Sequence, residues 1–418
     1  KVKATSDHKF MTLNGWKKVE DFTEETKIGM YKNTTFDNIV SDEIAISKNE
    51  LLEQKNWIFS ERDVKRLEKM ELFDIKFNDY KIKLIAKLFG FIMTDGSVNI
   101  YGKGPRIECY FTSQEAAEEF ENDVELLGFE KRKIMESIRT FHGSTHHTWR
   151  TVHCGLISKL FIALNITMGK RSENLHKLIP NWIKENNILT KCFLSGYFGG
   201  DGCRIRYNKI NSGYNYICGA LQVTKNERCK ENGILFMESL KTMLNKVNIK
   251  TKNVSCKKSK DYDDRYVIQL PMVCEQSNLI RIFDNIGYSY DYHKQMSSVK
   301  IVTYLKYKKK LQNEYTKKTG KKYFHLKEFT PDNFTKSLET KHCSLFEPIL
   351  SIKKVESCMI SDLTTASENH SFILSNNMLS SNCAQGKQAL GMYVSNYDSR
   401  MDKTAYIQTY TMRPLVDT

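Results

Sequence analysis

One phrase, used twice, constrains this chain more than any other feature. Residues 88–96 read LFGFIMTDG and residues 194–202 read LSGYFGGDG. Each is an apolar run closed by Asp-Gly, with a glycine five residues before the aspartate: Gly90 before Asp95, Gly196 before Asp201. A helical run with a small residue on one face lets a second helix approach closely along that face. Two such helices side by side bring both C-terminal aspartates to the same end, with Gly96 and Gly202 ending the helices. One copy of the phrase reads better as a core helix with a glycine cap, since short motifs are only hypotheses. Two copies in similar surroundings reverse that balance. After Asp95 come RIECYFTSQ and the helical EAAEEFENDVELLGF; after Asp201 come GALQVTKN and ILFMESLKTMLNKVNI. Tandem modules of this kind predict a pseudo-twofold arrangement. Paired carboxylates at close range are what a phosphodiester-cleaving enzyme needs to hold divalent metal over a scissile phosphate.

Charge points the same way. The 418 residues carry 64 Lys and Arg against 49 Asp and Glu, a net +15, which suits a polyanionic partner such as nucleic acid. Segment 383–418 contributes little: Lys387, Arg400, Lys403 and Arg413 stand against Asp398, Asp402 and Asp417. Eleven cysteines, with no CxxC pair, read as reduced thiols of an intracellular protein; nucleus, cytoplasm and viral particle stay open. The cluster His142, His146, His147, His153 and Cys154 lies in a polar stretch between the modules and reads as no metal site. No run reaches transmembrane length and no signal peptide opens the chain, so no membrane partner is expected.

The organisation is α+β and multidomain. Residues 1–80 are short alternating segments such as FMTLNGWKKVEDF, predicting a small all-β unit. Residues 81–299 hold the two modules. Residues 300–345 are a lysine-rich linker, either a helix with a solvated basic face or a DNA-contacting extension. The β pattern returns over 346–382, so β-rich ends bracket an α/β insert, and the composition changes again over 383–418.

The doubled phrase resembles the LAGLIDADG (DOD-type) homing endonucleases in their single-chain, two-motif form. The resemblance implies a monomer with two αββαββα halves that pack through the motif helices and grip a long asymmetric double-stranded DNA site with saddle-shaped sheets. It makes Asp95 and Asp201 the catalytic, metal-binding residues, with Mg²⁺ activating water and stabilising the leaving oxygen. The family's additional acidic residue, two before each aspartate, is absent, being Met93 and Gly199. A lysine from each half often assists, which corresponds to Lys177 in HKLIPNW and Lys294 in YSYDYHKQ. Base readout is expected from strands near RIECYFTS and RIRYNK, with phosphates met by Lys and Arg.

A second signal is Ser381-Asn382-Cys383. An asparagine amide can attack its own backbone carbonyl, closing a succinimide and breaking the following peptide bond, and a Cys thiolate is a good nucleophile. Asp362 and His370 lie just upstream, and Thr5 and His8 stand at T-x-x-H spacing at the other end. Both ends resemble an intein, the all-β Hint-type self-splicing element, here split in sequence. The resemblance gives each residue a role. His8 protonates the leaving amide with Thr5 polarising that peptide, Asp362 assists branching, His370 supports cyclisation, Asn382 cyclises and Cys383 accepts the acyl chain. No cofactor is implied for splicing. Two departures stand out: Ser381 replaces the usual His, and Lys1 replaces the usual Cys or Ser, so the chain reads as a fragment. The tail CAQGKQALGMYVSNYDSRMDKTAYIQTYTMRPLVDT resembles the second-largest subunit of DNA-directed RNA polymerase, with Lys387 at the GKQ lysine. The chain is therefore expected to be a polymerase subunit interrupted by an intein, with the host polymerase subunits as partners after splicing. Two alternatives stand: an insert that splices but no longer cuts, and a LAGLIDADG module that binds DNA or RNA without cleavage. Both aspartates being present favours the cutting form.

Overall fold

A computed structural model describes residues 4–12, 15–23, 25–30, 39–53, 58–102, 104–141, 144–210, 213–260, 264–321, 345–349, 352, 360–365, 371–373, 379–381 and 405–410. The chain divides into two compact units, one made of Lys1–Asn33 with Leu311–Thr418, the other of Thr34–Lys310.

The first unit opens with β1 (Lys9–Thr12), β2 (Gly15–Lys18) and β3 (Lys27–Met30). The larger unit begins with β4 (Ile44–Ile46), α1 (Lys48–Glu53), α2 (Glu61–Lys69) and β5 (Ile75–Lys76). The all-β reading of residues 1–80 is corrected here, since residues from Thr34 onward lie in the larger unit and include two helices. The cause is local. Ser60 and Asp63 form a reciprocal capping box, Asp63 N–H donating to Ser60 Oγ at 3.3 Å and Ser60 N–H to Asp63 Oδ2 at 3.0 Å. Only Leu67 of α2 is buried, so the helical period is almost invisible in a polar run.

The modules follow. The first half runs α3 (Tyr80–Asp95), β6 (Gly96–Tyr101), β7 (Gly104–Phe111), α4 (Gln114–Leu126), β8 (Met135–Phe141), β9 (Ser144–Cys154) and α5 (Leu156–Ala163), the expected αββαββα order. Its four strands pair antiparallel in the order β6-β7-β9-β8. After α6 (Asn181–Glu185), the second half runs α7 (Asn187–Gly200), β10 (Arg206–Ile210), β11 (Gly213–Ile217), β12 (Ala220–Asn226), α8 (Lys230–Lys246), β13 (Ser255–Lys258), β14 (Arg265–Pro271) and α9 (Gln276–Asn285). The order β12-β14-β13 repeats β7-β9-β8, while β10 and β11 form a separate hairpin. The second half thus carries one strand more than αββαββα.

α10 (Tyr292–Thr319) takes in the start of the lysine-rich stretch. Its early residues Val299, Ile301, Val302, Tyr304 and Leu305 are buried, and Lys306 then pairs with Asp284 at 2.8 Å. The segment expected as a linker from residue 300 therefore begins as part of a core-packed helix; residues 322–344 lie outside those described.

The first unit resumes with β15 (Leu345–Pro348), β16 (Ile360–Thr365), β17 (Ser371–Ile373), β18 (Leu379–Ser381) and β19 (Ala405–Tyr410). Strands from both ends of the sequence share one sheet in the order β15-β3-β1-β18-β17, with β2 also on β1. Phe10 lies opposite Ser380, and Gly29 opposite Phe346. β16 pairs with β19 of the tail. Among the described residues no helix is long and apolar enough to cross a membrane.

The larger unit is organised about α3 and α7. A Cβ on Gly90 would stand 2.0 Å from the Phe193 carbonyl oxygen and 2.9 Å from Tyr197 N. A Cβ on Gly196 would stand 2.0 Å from the Lys87 carbonyl oxygen and 2.9 Å from Phe91 N. The same four-residue relation is repeated with the helices exchanged, and Phe89, Phe91, Phe193 and Tyr197 close the core around it, all buried. Backbone cannot yield as a side-chain tip can. Gly90→Ala or Gly196→Ala is therefore expected to lower stability by about 3 kcal/mol, the upper end of overpacking effects. The urea midpoint reads this directly, and an unchanged midpoint would mean the helices are not in backbone contact.

Candidate active site

Asp95 is the last residue of α3, and Asp201 is the C-cap of α7. Because the helices touch at their glycines, both ends arrive together. A Cβ on Gly200 would lie 1.8 Å from Thr94 Oγ1 and 3.2 Å from Asp95 Oδ2, so only glycine fits between the two aspartates' helix ends. Gly96 and Gly202 end the helices as expected, though not by a left-handed turn; Gly96 has φ −90° and ψ 147°. Their own helices crowd them instead: a Cβ would stand 2.5 Å from the Ile92 carbonyl oxygen at Gly96 and 2.4 Å from that of Phe198 at Gly202.

Among the described residues no hydrogen bond reaches either carboxylate, and Asp201 opens to solvent while Asp95 is half-buried. Enclosure, and next the charge of Asp201, push Asp95 up to about 6, against the opposing pull of Lys294 and Arg171. Enclosure also raises Asp201, opposed first by Arg171 and then by Lys294.

The two cations are placed by carbonyls. Lys294 Nζ donates to Gly199 O at 2.6 Å and to Gly200 O, and pairs with Asp291 at 3.3 Å. Arg171 Nη1 donates to Met93 O at 2.5 Å. Met93 and Gly199, where the family's extra acid is missing, are both two residues before an aspartate. The backbone at each thus anchors one cation, in the same pseudo-twofold relation as the aspartates. Lys177, expected at this place, is exposed, and its backbone N–H donates to Thr167 Oγ1 at 3.0 Å. The reading of Lys177 is corrected: the charges that act on the two carboxylates are Arg171 and Lys294, while Lys177 and Leu178 are exposed. One signal was available. Both halves end in Asn-Ile, at Asn165-Ile166 and Asn285-Ile286, followed by the cation, Arg171 in a turn and Lys294 in the first turn of α10.

Two carboxylates held together without hydrogen-bond donors, each raised by its surroundings, fit a hard divalent cation that takes its remaining ligands from water and phosphate. No group of three or more His, Cys, Asp or Glu suited to metal occurs among the described residues, and His147 and His153 instead meet Glu136 and Glu121 at 2.7 and 2.8 Å.

In the first unit Thr5 O accepts from His8 N at 3.2 Å, and His8 Nε2 and Ser380 Oγ lie 2.5 Å apart in a hydrogen bond. The β1–β18 pairing thus sets the His8 ring beside the strand that leads to Asn382. The backbone of Asp362 pairs with Gln408. The Asp362 side chain, His370, Asn382 and Cys383 lie outside the described residues.

A single chain whose two halves meet on glycine-notched helices, with an aspartate closing each, is the arrangement expected of the doubled phrase. No protein-family model matches the chain. It is 27% identical to the DNA-directed RNA polymerase subunit Rpo1N of Methanocaldococcus jannaschii over 398 residues, 91% of this chain and 29% of that protein. It is 25% identical to the tRNA-splicing ligase RtcB of Methanopyrus kandleri over 323 residues, 75% of this chain and 31% of that one. A stretch of 35 residues, 8% of the chain, is 57% identical to 3% of DNA-directed RNA polymerase II subunit 2 of Arabidopsis thaliana. Among solved structures, the homing endonuclease I-WcaI bound to its DNA recognition sequence is similar at TM-score 0.32 and 15% identity, over 52% of this chain and 92% of that one. The chain spans about a third of the length of the first two relatives. The polymerase-subunit matches agree with the sequence resemblance to polymerase-subunit sequence interrupted by an insert.

The raised Asp95 has a stability consequence. Its folded value of about 6 lies above the ordinary 3.8, so the folded state binds the proton more tightly than the unfolded chain. Stability is then lost as pH rises from about 4 through about 6. Asp95→Asn removes that penalty. In EDTA it is expected to stabilise the protein by about 1–3 kcal/mol at pH 7.5 and by almost nothing at pH 4. Urea unfolding at the two pH values measures both; equal effects would show that the carboxylate carries no burden.

Proposed function

We propose that this chain is an intein-bearing stretch of a polymerase subunit whose inserted endonuclease cuts double-stranded DNA with Mg²⁺, and whose C-terminal junction cleaves by cyclisation of Asn382. The observation that carries the nuclease reading is the pair Asp95 and Asp201, without a hydrogen bond among the described residues and flanked by Arg171 and Lys294. Asp95 and Asp201 would hold the cation. Bound there, it supplies the positive charge that polarises a phosphodiester and acidifies water. Arg171 and Lys294, fixed by carbonyls rather than by the carboxylates, keep N–H groups and charge directed at the phosphate.

The insert reading has its own support. More than half of this chain matches about a third of a polymerase subunit and about a third of a tRNA-splicing ligase, proteins whose names describe unrelated activities. A segment shared by unlike hosts behaves as an insert. At the junction, Asn382 Nδ2 attacks its own carbonyl carbon, the bond to Cys383 breaks, and Cys383 leaves with a free amine. His8 would stand near this end through Ser380.

Two experiments test the two activities. Plasmid carrying the uninterrupted polymerase-gene junction is expected to be linearised with Mg²⁺, and Asp95→Asn or Asp201→Asn is expected to reduce cutting at least about a thousandfold while salt-dependent DNA binding persists. Cutting at the parental rate by both variants would refute the metal site. In the second, purified chain at neutral pH is expected to release a C-terminal piece of about 4 kDa by mass spectrometry, taking about 110 Da per residue for 383–418. Equal release from Asn382→Ala would rule out cyclisation.

A further inference from the structure

Lys225 is wholly buried, on β12 in the second half, and no carboxylate pairs with it among the described residues. A buried ammonium without a counter-charge is expensive, and burial pulls this one down to about 8. Its hydrogens go to the backbone of one turn: Nζ donates to Arg171 O at 2.5 Å and to Asn174 O. Neighbouring residues complete the grip. Asn226 N–H donates to Ser172 O at 2.8 Å and Cys229 Sγ to Glu173 O at 3.3 Å. Four successive carbonyls, 171 to 174, are thus held by one corner of the second half. Room for the lysine stem comes from Gly233, where a Cβ would stand 2.8 Å from Lys225 Cγ.

The turn so held is the one that carries Arg171 to Met93 O, at the end of the first half's motif helix. Among the described residues no corresponding lysine holds Lys294, which stands in the first turn of α10 and is anchored by Asp291 just before that helix. The second half therefore reaches through Lys225 to place a cation on the first half's helix. β12 is also a sheet strand whose opposite face exposes Gln222 beside Gln269, at 2.8 Å.

We propose that Lys225 is a positioning residue: by fixing the 171–174 turn it sets the Arg171 guanidinium at the carboxylate pair, and so makes cleavage of one DNA strand depend on strand β12 of the other half. The inference rests on the nuclease reading above. A general loss of fold would slow both strands alike; loss of one cation's placement slows one.

The test uses the full chain, Mg²⁺ and supercoiled plasmid bearing the junction, with each strand end-labelled. Lys225→Met keeps the stem and removes the charge. It is expected to slow one strand about a hundredfold, so that nicked circle accumulates, as a displacement of about 1 Å at a reacting centre does. The other strand and DNA affinity are expected to stay within about twofold, the standing of sites without shared partners. Arg171→Ala is expected to slow the same strand, and the double variant to be no slower than Arg171→Ala alone. Should Lys225→Met fail to fold, Lys225→Gln, which keeps one donor, is expected to slow the same strand to a smaller degree. Equal slowing of both strands, an unchanged strand ratio, or slowing of the strand that Arg171→Ala spares would overturn the proposal. A parental chain that leaves the plasmid intact overturns the nuclease reading, and this inference with it.

Discussion

The larger unit depends on one contact, the meeting of α3 and α7 backbone to backbone at Gly90 and Gly196. Carbonyl oxygens of Phe193 and Lys87 occupy the places where those two residues would otherwise carry a Cβ. At that separation the helices cannot slide without a clash, so their lengths decide where they end. Asp95 and Asp201 fall together because each stands five residues beyond its notch. The aromatic layer around the seam, Phe89 against Phe193 at 6.2 Å and Phe193 against Tyr197 at 5.9 Å, supplies the buried area that holds the close approach.

That geometry creates an electrostatic problem and leaves it open. Two carboxylates are brought into an enclosed place and raised, yet the nearby cations do not quench them by direct ion pairing. Arg171 and Lys294 are bound to carbonyls at the helix ends, where the partial negative charge of a helix C-terminus favours them. Their charges reach the aspartates across space while the carboxylate oxygens stay free for other ligands. Each cation, tied to one helix, is the first to oppose the rise of the other helix's aspartate. A pair of ordinary salt bridges in the same place would have filled the site.

Much of this was legible in the residues. The doubled Gly-x₄-Asp-Gly spacing announced two helices, a shared end and a tandem, because periodicity and glycine geometry are local properties. In the first unit, strands from both ends of the sequence share one sheet, β1 lying between β3 and β18. Other features were hidden for physical reasons. α2 shows only Leu67 to the core, so its helical period was lost in a polar run held by a cap. Arg171 lies in GKRSENL, a turn without regular structure, and nothing local told which of Arg171 and Lys177 would face inward. A strand at RIRYNK was expected, but not that β10 and β11 form a hairpin apart from the second half's sheet, because Tyr207 and Tyr214 look like ordinary strand residues.

The sequence by itself determined the identities and spacing that cannot be exchanged: glycine where backbone must touch backbone, and aspartate where each helix stops. Those follow from covalent geometry and from the reach of single side chains. Only the tertiary structure decided which cations join the aspartates, that a buried lysine of one half holds a turn serving the other, and that His8 lies beside Ser380 across 372 positions of chain. Such choices come from packing between segments far apart in sequence, where the register of a strand or the path of a turn sets which polar group finds a partner.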